Sequence, residues 1–118
     1  MHTHIYLGRE RGKRIVHKVG LTTTTCWQRC KNADYLIGTS FEIDFPRNSP
    51  IWLRDVEKFI IGRFEEKFAI EHGQESFRTP KFNWDKIKAF FVEEMTIYLH
   101  EKGLHYKIHE GWVAPHTY

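Results

Sequence analysis

Long apolar runs are missing from this chain of 118 residues. No stretch approaches the roughly 18 apolar residues that a membrane-spanning helix requires, so no membrane partner is expected. The start, Met1-His2-Thr3-His4-Ile5-Tyr6, lacks the basic and apolar regions of a secretory signal, and a cytoplasmic location is expected. Cysteine is scarce: Cys26 and Cys30 are the only 2, separated by three residues. A disulfide within one helical turn has poor geometry, and no second Cys/His pair follows at zinc-finger spacing, so both read as ordinary thiols. With 4 Pro and 8 Gly there is no low-complexity tract, repeat or interdomain linker.

What is present suits a packed interior. Hydrophobic residues make up 41% and aromatics 15% of the chain, which points to one domain over 1–118 with its core at about 4–102 and a tail at 103–118. Net charge is only +3, but it is unevenly spread. Up to Lys31 there are seven basic residues (Arg9, Arg11, Lys13, Arg14, Lys18, Arg29, Lys31) against one acid, Glu10. A local positive field of this kind serves a polyanion, or is simply a solvated basic turn.

Periodicity gives the elements. His2 to Leu7 and Ile15 to Val19 read as paired strands joined by a polar loop with two glycines. The threonines from Thr22 to Thr25 offer N-caps for a first helix carrying Trp27 and Cys30. Phe41 to Phe45 alternates like a half-buried strand. Ser49 as N-cap and Pro50 at the first position predict a second helix to about Gly73, with Leu53, Val56, Ile60, Phe64 and Phe68 inward. A loop over 73–81 follows. A third helix from Asn83 turns Trp84, Ile87, Phe91, Met95 and Tyr98 inward and stops at Gly103. The tail adds a strand around Tyr106 to Ile108. His105 and His109, four apart on an extended tail, lie about 13 Å from one another and read as surface histidines. Trp112 reads as a core lid.

On a helical wheel, Glu57 falls inside the apolar arc of the second helix, whereas Asp55, Glu65 and Glu66 point away. A carboxylate there is an ion-pair member, for instance with Arg29 or Lys18, or it lines a site.

His4-Ile5-Tyr6, eleven residues, then Lys18-Val19-Gly20 resembles the paired tripeptides of the GIY-YIG nuclease superfamily. Gly20-Leu21-Thr22, Arg29 nine residues past the glycine, and the helical Glu57 match as well. The later spacing is most similar to the family's compact phage and viral DNA-binding branch. The similarity covers 4 to about 92. It implies an α/β (α+β) fold: a small antiparallel three-stranded sheet flanked by helices, in the order β-β-α-β-α-α. It also implies a site where Tyr6 orients or deprotonates water, Arg29 neutralises phosphate charge and Glu57 holds Mg²⁺ or Mn²⁺. Asn83 matches an active-site asparagine of the family and equally an N-cap. His4 stands in place of the first glycine and Lys18 in place of the second tyrosine. An unperturbed lysine is protonated at neutral pH and binds phosphate rather than acting as a base. His4, on the same strand face as Tyr6, is the preferred substitute base, ahead of His17.

Three functions follow as expectations: a metal-dependent DNA endonuclease or nickase, a non-cleaving DNA-binding module on the same fold, and a small viral regulator with a protein partner. DNA is the expected nucleic acid and RNA is left open. Specificity is expected to need a homodimer or a partner. Cleavage requires Tyr6, Arg29 and Glu57 to converge on one concave surface.

Overall fold

A computed structural model describes residues 3–10, 16–22, 35–70, 76–78 and 83–113. Strands β1 (His4–Glu10), β2 (Val16–Thr22) and β3 (Tyr35–Asp44) come first. Helix α1 (Leu53–Phe68), the short strand β4 (Ser76–Arg78), helix α2 (Trp84–Glu101) and strand β5 (His105–Val113) follow. The chain is α+β. The sheet has five strands in the order β4-β2-β1-β3-β5, and every neighbouring pair is antiparallel.

The expected three strands are thus extended at both edges. Ser76–Arg78, expected within a loop, pairs with β2 because Phe77 is large and apolar and sinks into the core at 6% exposure. The tail strand is longer than expected and pairs with β3 from Asp44↔His105 to Ile37↔Val113. β2 runs through Thr22. The rest of the expected first helix, with Trp27, Cys26 and Cys30, lies outside the described residues.

Both described helices follow most of their predicted stripes, but Phe68, Trp84 and Tyr98 are only partly buried, and Leu99, not expected inward, is buried. Leu53, Val56, Ile60 and Phe64 are buried on α1, as are Ile87, Phe91, Met95 and Leu99 on α2. Their ends differ in how well the sequence foretold them. α2 begins where Asn83 caps it, its side-chain oxygen accepting from the Lys86 N–H at 3.0 Å. It ends where Gly103 takes φ +67° and Leu104 N–H reaches back to the Leu99 carbonyl at 2.9 Å. α1 starts later than Ser49-Pro50 suggested. Ser49 closes a turn on Pro46 instead, and Trp52 is the N-cap, its N–H donating to the Asp55 carboxylate at 2.7 Å. α1 also stops short of Gly73, at Phe68, with Ala69 in the left-handed region at φ 53°.

The core lies between one face of the sheet and the two helices. Ile5 and Leu7 of β1, Val19 of β2, Phe41 and Ile43 of β3 and Phe77 of β4 meet the helical stripes there. Phe41 packs edge-on to Phe91 at 5.6 Å, and Phe64 stacks on Phe90 at 5.1 Å. Across the helix pair, Arg63 donates twice to the Glu94 carboxylate, at 2.9 and 3.2 Å.

Candidate functional site on the polar face of the sheet

Side chains alternate along a strand, so Ile5 and Leu7 on the core face commit His4 and Tyr6 to the other. In the same way, Phe41 and Ile43 on the core face commit Ser40, Glu42 and Asp44 to it. Cross-strand partners share a face, and two polar rows result. One aligns Gly20, Tyr6, Ser40 and His109; the next aligns His4, Glu42 and Lys107. His4 and Tyr6 therefore share a face, as alternation required.

Tyr6 is fully buried. Its ring lies over Gly20, where an added Cβ would fall 2.5 Å from the tyrosine oxygen and 2.7 Å from Cζ. The glycine of Lys18-Val19-Gly20 is what leaves room for the tyrosine of His4-Ile5-Tyr6. His4 is nearly as deep, at 6% exposure. Its ring centroid is 5.8 Å from that of His109. His109 Nε2 lies 2.8 Å from Glu42 Oε1, and both side chains reach solvent. The bond from His109 holds the Glu42 carboxyl below its ordinary range. Partial burial opposes this, and the charges of His4, His109 and Lys107 add to it. An ionised carboxylate only accepts, so Nε2 carries the hydrogen of this bond, and Nδ1 is the ring nitrogen left for another partner.

A groove of about 460 Å³ runs from this cluster round the end of the sheet, lined by Thr3, Glu42, Phe45, Trp52, Tyr106 and Lys107 among others. Trp52 is 45% exposed there, its ring 4.7 Å from that of Phe45.

The other sequence-derived candidates are dispersed. Glu57 is half-buried on α1, which packs against the core face, whereas Tyr6 alternates with Ile5 and Leu7 onto the other face. The expected convergence of Tyr6, Arg29 and Glu57 on one concave surface also involves Arg29, which lies outside the described residues. Among the described residues no three His, Cys, Asp or Glu side chains group as metal ligands. One carboxylate is a meagre protein share of a Mg²⁺ or Mn²⁺ site, so no step is drawn through such an ion at Glu57. Asn83 is engaged as the α2 cap, at the far end of α2 from Gly103. Lys18 aligns with Gly8 and Ser76, and His17 with Arg9 and Phe77. Arg9 is half-buried near the end of the β1–β2 ladder. Arg11, Lys13, Arg14, Arg29 and Lys31 lie outside the described residues, as does the side chain of Trp112.

Sequence reasoning missed Glu42 and set His109 aside as a surface histidine. The alternation of Phe41-Glu42-Ile43 did signal that Glu42 leaves the core. Nothing local signals that it meets a histidine 67 positions later. No family model matches the chain, and neither the curated proteins nor the solved structures contain a match.

Proposed function

We propose that the chain is a nucleic-acid-binding module on a GIY-YIG-like scaffold, with DNA as a ligand, and that Tyr6 and Glu57 do not form a cleavage centre. Binding is supported by the seven basic residues against one acid in the sequence up to Lys31. Positive charge concentrated in this way gains affinity by releasing counterions from phosphate. The observation that carries binding over cleavage is the placement of Tyr6, buried on one face of the sheet, and of Glu57 on the helix packed against the other. Lys18 in place of the second tyrosine agrees with that choice, since an ammonium group strengthens phosphate contact.

A supercoiled plasmid incubated with the chain in Mg²⁺ tests both halves. The expected result is retarded mobility without nicking. The affinity should fall with salt, and neutralising Arg9, Arg11, Lys13 and Arg14 together should reduce the logarithmic salt slope by up to about four. Nicking that disappears in Glu57→Ala would restore the metal-dependent nuclease reading. No retardation even at low salt would favour a protein partner instead.

A further inference from the structure

The polar sheet face holds a carboxylate–imidazole pair that phosphate binding by the hairpin does not use. Glu42 accepts from His109 Nε2 at 2.8 Å, which directs the ring and leaves Nδ1 as its basic nitrogen. His109 is about half exposed, with side-chain accessibility of 52%, so a bound substrate can reach it. Lys107 sits in register with Glu42 on the same face and supplies a cation beside the pair. The groove begins at Glu42 and Lys107 and includes Trp52, whose ring is tilted against Phe45, and an exposed indole suits an unpaired base. A base, the carboxylate that orients it and a neighbouring ammonium lie together on the sheet, and the groove that starts at the carboxylate and the ammonium leads to the indole.

We propose that this surface cleaves single-stranded RNA by internal transesterification, with His109 as the general base. The substrate brings its own nucleophile, so proton removal and charge compensation are the tasks left to the protein. His109 Nδ1 takes the proton of a ribose 2′-hydroxyl, and the 2′-oxygen forms a bond to the adjacent phosphorus. The bond from phosphorus to the 5′-oxygen breaks. Its electron pair stays on that oxygen, which takes a proton from water, and the hydroxide so formed accepts the proton held by His109. The products are a 2′,3′-cyclic phosphate and a 5′-hydroxyl, with no net consumption of water. Lys107 offsets the charge that grows on the phosphoryl oxygens. Glu42 acts through His109 and is a positioning residue. The inference rests on the nucleic-acid reading above and names a substrate class for a second site, at the opposite end of β1 from the hairpin connection.

The test uses the whole chain with a fluorescent single-stranded RNA in the presence of chelator, alongside DNA and 2′-O-methyl RNA of the same sequence. Only the unmodified RNA should be cut, leaving cyclic phosphate ends. His109→Gln should slow cleavage at least about 100-fold. Glu42→Gln should slow it about tenfold and shift the His109 Nε2 resonance in ¹⁵N spectra, because the anionic acceptor is lost, a change that loss of stability alone does not produce. Circular dichroism checks that both variants remain folded. RNA left intact by the wild-type chain, RNA cut equally by His109→Gln, or DNA cut as fast as RNA would each overturn the proposal. If 2′-O-methyl RNA is bound in those cases, the nucleic-acid reading survives; if neither RNA nor DNA is bound, both readings fall.

Discussion

Glu42 shows how one side chain takes its character from a neighbour remote in sequence. Its carboxyl titrates below its ordinary value because His109 donates to the ionised form. A group whose folded pKa is depressed contributes stability above its unfolded pKa, and this is lost as pH falls through the folded value. The stability difference between the wild-type chain and Glu42→Gln should therefore be constant above about pH 5. It should shrink on acidification below the ordinary value of 4.5. Urea unfolding at several pH values measures this, and a difference that grows on acidification would contradict the assignment. Tyr6 has a different constraint. Its ring fills space that only a glycine at position 20 leaves open, so the two signature tripeptides are linked by packing. That steric account requires no catalytic role for either.

At the scale of elements, the two described helices end in contrasting ways. Gly103 takes positive φ at no steric cost, whereas Ala69 takes it with a Cβ. Ala69→Gly should therefore stabilise the fold, by roughly 0.5–1 kcal/mol, through relief at the α1 terminus. Chemical denaturation reads the change directly, and destabilisation would show that Ala69 contributes contacts outweighing its strain. The Ser49-Pro50 start signal was displaced for a related local reason. Ser49 finds its partners in the Pro46 turn and in the Ile51 backbone, and Asp55 then supplies the acceptor at the helix start. Competing caps a few residues apart are decided by which turn the preceding strand can enter.

At the scale of the whole molecule, the described helices form a layer over one face of the sheet. Phe64 joins the parts: fully buried on α1, it meets Phe77 of β4 and both Phe90 and Phe91 of α2. Phe64→Ala should cost about 3–5 kcal/mol through lost burial and the cavity left behind. A cooperative transition at lower urea concentration, with unchanged slope, is the expected result. A loss below about 1 kcal/mol would mean the aromatic cluster collapses around the gap. The second face of the sheet carries the His4, Glu42, Lys107 and His109 group.

The local pattern by itself determined the helical stripes, the β3 alternation, the Asn83 cap, the Gly103 stop and an α+β class with an antiparallel β1–β2 pair. Each depends on interactions within a few residues, where period and capping chemistry are readable. It also placed His4 and Tyr6 together, because alternation is a property of one strand. Tertiary structure decided that β4 and β5 extend the sheet, that α1 covers the face away from Tyr6, and that Glu42 meets His109. A helix's period tells which of its sides is apolar, but not which face of a sheet that side will cover. Pairing between β3 and β5 is likewise set by register across a long separation, which local pattern does not encode. That is why Glu57 stood out in the sequence while the carboxylate beside the histidines did not.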